Sequence, residues 1–176
     1  SVLYAVLPAS VRTMDGAFSH CHALREVRCL NPVPPAIAEG TFSPNGMQKL
    51  FVLNGSGDAY RQAEQWSRFG SITDNTLYAD GQYHYLIDRS YGVSAQVVGR
   101  NADMPFDGHA TFPATVRVED ADVPLKGFYD KALAGDLQLK TVTLGEKMSS
   151  IYGPAFTGCD NLYAIDAPTG CAIKTV

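Results

Sequence analysis

A cysteine lies between two histidines in the sequence His20-Cys21-His22. Thiolate and imidazole are preferred ligands of zinc, and an imidazole beside a thiol can also activate it as a nucleophile. In an extended segment, however, alternate side chains point to opposite faces, which separates Cys21 from both histidines. The spacing therefore favours a buried thiol flanked by two surface histidines, and we expect no metal and no catalytic site here.

Two other polar stretches carry only part of a known motif. The glycines of "NGSGDAYR" (54–61) precede a helix, as in phosphate-binding turns, but the Lys-Ser/Thr of a P-loop is missing. The acidic run "VEDADV" (118–123) lacks the order and the closing glutamate of an EF-hand loop. No G-x-S-x-G nucleophile motif occurs either. We therefore expect no cofactor and no enzyme, with a hydrolase as the least favoured alternative.

Tyrosines concentrate in the middle of the chain and are the candidate ligand-binding residues. Tyr83 and Tyr85 alternate, so they share one face of a strand, and Tyr91 follows shortly after. Aromatic faces bind sugars and proteins well. The alternative is that this face is part of the core of the protein, and the sequence leaves both interpretations open.

Composition limits the classes of partner. The chain has 176 residues, 45% apolar and 18% charged, with a net charge of −4, which is typical of a globular protein and gives no electrostatic reason to bind nucleic acid. No apolar run reaches the roughly 20 residues that span a bilayer, so we expect no membrane span. The four cysteines allow a Cys159–Cys171 disulfide or free thiols. No export signal is present, although a removed one would leave no trace.

Internal repeats are the strongest signal. Residues 2–27 and 139–165 superimpose with one insertion and share the pattern A-F-x-x-C-x-x-L-x-x-[VI], here called the repeat frame. Weaker copies occupy 131–142, where Asp136 takes the cysteine position, and 33–52. Each unit has one apolar side that only a stacked neighbour can bury. We therefore predict a core of repeat residues, namely Phe18, Cys21, Leu24, Val27, Phe42, Leu133, Leu139, Val142, Phe156, Cys159, Leu162 and Ile165.

The repeat frame resembles the unit of the BspA-like leucine-rich repeats, and about 110 of the 176 residues carry the resemblance. Arrays of that family often end with a short helix whose spacing is matched by Tyr60, Ala63, Trp66 and Phe69. The resemblance implies a mainly β fold with short helices. It would be a leucine-rich-repeat solenoid of two short modules, joined by a capping helix and a β-hairpin lead-in.

The module boundaries follow from the same signals. Residues 1–72 are predicted to be the end of one repeat array with its C-terminal capping helix, and 73–176 a β-rich lead-in followed by further repeats. Helical spacing predicts the helix over Gly57 to Phe69, with Asp58 as its N-cap. Asp80-Gly81 predicts a two-residue hairpin turn.

The resemblance also implies a function. Proteins with such repeats are found chiefly on the surface of host-associated bacteria or are secreted by them. We therefore expect a non-catalytic extracellular or cell-surface protein, monomeric, that binds a host or bacterial surface protein or a glycan. The alternative is a structural spacer that presents another domain.

Overall fold

Over the described residues the fold is mainly β with one short α-helix, and its strands stack as successive coils of a repeat solenoid, which confirms the predicted fold class. A computed structural model describes residues 3–42, 47–169, 171 and 173. The chain divides into two compact units, Ser1–Tyr78 with Asn101–Asp103, and Ala79–Arg100 with Met104–Val176. Each unit is described by itself below.

The first unit is built on parallel strands. Its strands are β1 (Tyr4–Leu7), β2 (Thr13–Met14), β3 (Glu26–Cys29), β4 (Ala36–Ile37), β5 (Lys49–Leu53) and β6 (Ser71–Ala79). Strands β1, β3, β5 and β6 are hydrogen-bonded in that order, and β2 pairs separately with β4. Each coil therefore contributes one strand to the main sheet, as expected for a solenoid.

The strand register places one residue of each coil in a single column. Ala5 pairs with Val27, Val27 with Leu50, and Leu50 with Ile72. Val27 and Leu50 are fully buried, while the two outer members are partly buried against the same core. A hydrophobic column therefore runs through the coils, because identical registers repeat from coil to coil.

Aromatic rings close the core of this unit. The rings of Phe18 and Phe42 stack with centroids 5.1 Å apart, and Phe42 also contacts Trp66 and Phe69 at 5.5 and 5.3 Å. The indole N–H of Trp66 donates to the carbonyl of Pro35 at 2.8 Å. A buried polar atom is thereby satisfied, and the segment after β5 is fixed onto the repeat core.

The capping helix is shorter than its sequence predicts. Helix α1 spans Gly57–Gln62, and a single 3₁₀ turn at Trp66–Arg68 carries the remaining aromatic anchors. The predicted N-cap, Asp58, lies in the first turn; the cap position is Ser56, whose side chain makes no cap hydrogen bond. The Asp74 carboxylate of β6 instead accepts the Gly57 N–H at 3.1 Å. The N-cap prediction was wrong because a residue distant in sequence serves the helix start; the predicted helix begins at Gly57 but ends early because Ala63 is extended.

The second unit combines a lead-in sheet with further parallel coils. Its strands are β7 (Tyr83–Asp88), β8 (Ser94–Arg100), β9 (His109–Thr111), β10 (Thr115–Val118), β11 (Ala121–Phe128), β12 (Thr141–Thr143), β13 (Ser150–Ile151) and β14 (Ala164–Asp166). The lead-in sheet consists of β7, β8, β10 and β11. Strands β7 and β8 are antiparallel, β8 and β11 parallel, and β10 and β11 antiparallel. Parallel pairing joins β9 to β12 and β12 to β14, and also β11 to β13.

The two repeat copies identified from sequence have the same backbone geometry. In the first, the Cys21 N–H bonds to the Phe18 carbonyl at 3.1 Å and the Leu24 N–H to the Cys21 carbonyl at 2.9 Å. The second copy makes the matching bonds, Cys159 to Phe156 at 3.1 Å and Leu162 to Cys159 at 3.0 Å. The repeat frame is therefore a pair of consecutive turns that sets the phenylalanine, cysteine and leucine on one side.

Most predicted core residues lie inside. Those buried are Leu24, Val27, Phe42, Leu133, Leu139, Val142 and Cys159, and those partly buried are Phe18, Cys21, Phe156 and Leu162. Ile165 is 46% exposed, although it pairs in register with Val142. The core assignment of Ile165 was wrong because, within the described residues, β14 has a neighbouring strand on one side only.

Asp136 explains how one coil departs from the repeat frame. The coil keeps the turn geometry, since the Asp136 N–H bonds to the Leu133 carbonyl at 3.2 Å. Its carboxylate is paired with Arg100 of β8, with Nε 2.6 Å from Oδ2, and the two side chains are only 8% and 12% exposed. A buried carboxylate is tolerated at the cysteine position because the lead-in sheet supplies its cation.

Candidate functional site

The His20-Cys21-His22 segment places its two histidines at the surface and its cysteine against the core. Both histidines are exposed, and their rings meet edge to face with centroids 6.4 Å apart. Cys21 packs against the core of the first unit. Across the described part of the chain, no group of three or more histidine, cysteine or acidic residues is placed to hold a metal ion.

All four cysteines are free thiols. The Cys159 thiol donates to the Leu133 carbonyl at 3.0 Å and the Cys171 thiol to the Met148 carbonyl at 3.3 Å, so each has its own acceptor. Burial raises the pKa of Cys159, and burial also raises the pKa of Cys29, which the Tyr60 hydroxyl contacts at 3.0 Å. Thiols with raised pKa values are weak nucleophiles, which argues for a packing role.

The candidate tyrosines separate into two kinds of environment. Tyr83 and Tyr85 are only 6% and 2% exposed, so the idea of an open aromatic face on β7 was wrong. The Tyr83 ring packs on Phe112 with centroids 4.7 Å apart. Tyr91 is fully exposed in the loop between β7 and β8. The sheet uses both faces of β7 for its own core, and therefore little of Tyr83 and Tyr85 remains available to a ligand.

Tyr83 and Tyr85 line an open surface cavity of about 620 Å³ within the second unit. Phe106, Pro105 and Pro113 supply the remaining apolar lining. Its volume falls in the range of roughly 300–1,000 Å³ typical of small-molecule sites. This cavity is the candidate functional site.

The Asp80 carboxylate organises one side of the cavity. One oxygen accepts the backbone N–H groups of Gln82 at 3.1 Å and Tyr83 at 2.8 Å, and the other accepts the Tyr85 hydroxyl at 2.5 Å. This side chain thereby closes the turn between β6 and β7, where Gly81 adopts a φ of +95°. The same contacts fix the position of a negative charge at the cavity wall.

The tyrosine hydroxyls are neutral at physiological pH. Burial raises the pKa of Tyr83 to about 12. Burial also raises the pKa of Tyr85, and its hydrogen bond to Asp80 adds to the effect. Both rings therefore present uncharged phenols beneath the cavity, so its negative charge comes from carboxylates alone.

Gln82 contributes a polar group that its own fold leaves unsatisfied. Its amide nitrogen Nε2 is buried and has no hydrogen-bond partner among the described residues. Gln82 lines the cavity beside Asp80. A buried donor without an acceptor costs about 1–3 kcal/mol, so this amide is a local destabilising feature of the turn beside the cavity.

Asp107 and His109 also line the cavity. The Asp107 carboxylate accepts the His109 N–H at 3.0 Å, and this bond lowers the pKa of Asp107. The His109 ring nitrogen Nδ1 lies 2.9 Å from the hydroxyl of Thr141 on β12. Lys140 donates to the Asp107 carbonyl at 3.1 Å. Neighbouring coils thus fix these lining residues by their own side chains.

The buried ion pair between Arg100 and Asp136 also holds Phe106 in place. The Arg100 guanidinium lies over the Phe106 ring, 4.4 Å from its centroid, while it binds Asp136. A second hydrogen bond of 2.8 Å joins Arg100 to Gln138. Cation–π contact and the ion pair together set the orientation of the ring at the cavity wall.

The arrangement combines fixed carboxylates and an apolar wall. Such a set binds a polar ligand by hydrogen bonds and by contact with its apolar face. Sequence reasoning found Tyr83 and Tyr85 but missed Gln82, Phe106 and Asp107. The only local signal was the Asp80-Gly81 turn, because Phe106 and Asp107 come from a loop that the fold brings back to β7.

No family model matches the chain, and no curated protein matches it. Among the described residues, no helix is long and apolar enough to cross a membrane.

Proposed function

We propose that this chain is a non-catalytic leucine-rich-repeat protein, secreted or exposed at a bacterial cell surface, that binds a protein or a glycan. The repeat frame supports the family, because its turns recur with the same hydrogen bonds in both copies. The observation that carries the binding function is the cavity of about 620 Å³ with fixed polar and aromatic walls.

The carboxylates of the cavity suit binding better than acid–base chemistry. Asp80 already accepts three hydrogen bonds that hold the turn and Tyr85 in place. Asp107 has a lowered pKa, so it is ionised at neutral pH and is a poor proton donor. Carboxylates that hydrogen bonds of the fold hold in place are suited to recognising a ligand.

A screen of immobilised ligands tests the binding function. The purified chain would be applied to a glycan array and to an array of purified extracellular-matrix and bacterial surface proteins. We expect reproducible capture by the wild-type chain and weaker capture after Phe106→Ala, with Tyr91→Ala as a matched control outside the cavity. Capture of nothing on either array would favour the spacer alternative.

The location is tested separately. Intact cells of the source organism would be treated with trypsin, and the chain followed by immunoblotting. We expect digestion without cell lysis, or recovery of the chain from the culture medium. Full protection in intact cells, with a cytosolic control protein equally protected, would contradict a surface or secreted location.

A further inference from the structure

His20 and His22 lie together on the exposed surface of the first unit. Backbone hydrogen bonds fix the segment that carries them, from the Cys21 N–H to the Phe18 carbonyl at 3.1 Å and from the Leu24 N–H to the Cys21 carbonyl at 2.9 Å. Cys21 packs against the core, and both histidine side chains are exposed. The turns of the repeat frame therefore direct two imidazoles to solvent and the thiol between them to the interior.

The ring nitrogens of this pair are open to a ligand. The rings meet edge to face, with centroids 6.4 Å apart and planes inclined at 68°. Among the described residues, neither ring forms a hydrogen bond or an ion pair. His109 differs, because its Nδ1 lies 2.9 Å from the hydroxyl of Thr141. The fold therefore leaves the nitrogens of His20 and His22 without a structural task.

The spacing of the two rings is close to that of a metal chelate. An ion lies about 2.0–2.1 Å beyond a coordinating imidazole nitrogen, so two imidazoles at a tetrahedral angle on one ion have ring centroids about 5.2 Å apart. The observed separation of 6.4 Å is only slightly larger. Both side chains are exposed, so rotation about their torsions can close the difference.

Imidazole selects the class of ion. Neutral imidazole nitrogen is a ligand of zinc, nickel and copper, whereas calcium and magnesium are bound by oxygen. In the described part of the chain, no third histidine, cysteine or acidic side chain completes a metal site with this pair. An ion held here therefore keeps solvent in its other positions, and it exchanges more readily than an ion in a four-ligand structural site.

We infer that His20 and His22 together bind one late first-row divalent metal ion, such as zinc, at the surface of the first unit. We expected no metal in this segment because Cys21 points away from both histidines; an ion held by the two imidazoles alone does not use the thiol. The inference is independent of the proposed binding function, whose cavity lies within the second unit.

The test titrates the ¹⁵N-labelled chain with zinc chloride at neutral pH, in a buffer that does not bind metal, and follows the imidazole nitrogens by NMR. We expect the signals of His20 and His22 to shift together with a single midpoint. Nickel chloride should broaden the same signals, because Ni²⁺ is paramagnetic. Magnesium chloride and calcium chloride should shift neither signal.

Variants separate a chelate from two independent imidazoles. In a chelate the second bond forms within the molecule, so His20→Gln and His22→Gln should each weaken zinc binding at the remaining histidine by at least about ten-fold. Both side chains are exposed, so neither substitution disturbs the core. His109→Gln is the matched control: it removes an exposed histidine of the second unit and should leave the zinc affinity of the pair unchanged.

The outcomes are distinct. The inference would be overturned if zinc shifted neither ring, if the two rings shifted with separate midpoints, or if one ring kept its affinity after loss of the other. Equal shifts with magnesium or calcium would also overturn it. The arrays test the cavity through Phe106→Ala in the second unit, so failure of this site is distinguishable from failure of the proposed function.

Discussion

Buried His84 should make the second unit sensitive to mild acid. The side chain lies on β7, is only 2% exposed, and its Nδ1 has no hydrogen-bond partner among the described residues. Burial lowers its pKa from 6.5 to about 4, against the opposing effect of the Asp80 charge. The imidazole is therefore neutral in the folded protein throughout the physiological range.

The size of the effect follows from proton linkage. Between pH 6.5 and about pH 4 the unfolded chain binds a proton at this position and the folded chain does not. The stabilising contribution of the neutral His84 is therefore fully present above pH 6.5, and it is lost as the pH drops through this window. At about 1.4 kcal/mol per pKa unit, the free energy of unfolding should fall by about 3 kcal/mol.

The assay must report on the second unit alone. The single tryptophan, Trp66, lies in the first unit, so urea unfolding would be followed by the NMR amide signals of β7 and β8. The wild-type chain would be compared with His84→Leu, which removes the titration, and with His20→Leu as an exposed control. Equal pH slopes for wild type and His84→Leu between about pH 6.5 and 4.5 would refute this reasoning.

Three further substitutions test single positions of the second unit. Arg100→Met leaves the Asp136 carboxylate buried without its cation, and the midpoint of urea unfolding should reveal a loss of about 3 kcal/mol. Gly127→Ala places a Cβ 1.7 Å from the Ser150 carbonyl oxygen at a φ of +156°, so we expect a loss of at least about 2 kcal/mol. Gly135→Ala has open space at a φ of +76° and should cost only about 1 kcal/mol by thermal unfolding.

Matched controls separate these effects from general damage. Arg117 and Asp122 form an ion pair with both side chains more than half exposed, so Arg117→Met should change stability little. The double variant Arg100→Met with Asp136→Cys restores the repeat frame and should recover most of the loss. No recovery would contradict the view that Asp136 occupies an interior cysteine position. Equal losses for the two glycine variants would contradict the steric argument at Gly127.

The repeat register could be predicted from sequence because it depends on local spacing. Aligning residues 2–27 with 139–165 equates Met14 with Ile151, and in the structure these residues end the short strands β2 and β13. The same alignment equates the strand pairs Ala5–Val27 and Val142–Ile165, which have matching parallel registers. A periodic apolar pattern is sufficient to fix such a stack.

Features that depend on distant partners could not be predicted in the same way. Asp58 stands where an N-cap is expected, yet Asp74 accepts the first helical N–H. Asp136 departs from the repeat frame, and only the fold shows that Arg100 lies beside it as its cation. In both cases local propensity was overruled by a side chain that another strand supplies.

The candidate site was predictable only in part for the same reason. Alternation on β7 correctly gave Tyr83 and Tyr85 a common face, but only the packing of Phe112 reveals that this face is buried. Further lining comes from Phe106 and Asp107, which no spacing rule links to β7. A cavity formed by sequence-distant segments leaves no periodic signal.

The column formed by Ala5, Val27, Leu50 and Ile72 has a mechanical consequence. Each residue of the column pairs only with residues on the adjacent strands. An oversized side chain at Leu50 would therefore strain β3 and β6 and leave β1 nearly unchanged. The destabilising effect of such a substitution is largest in the adjacent coils, because each coil of a solenoid contacts only its nearest neighbours. The coils can therefore differ widely in the residues they expose while the stack stays in register.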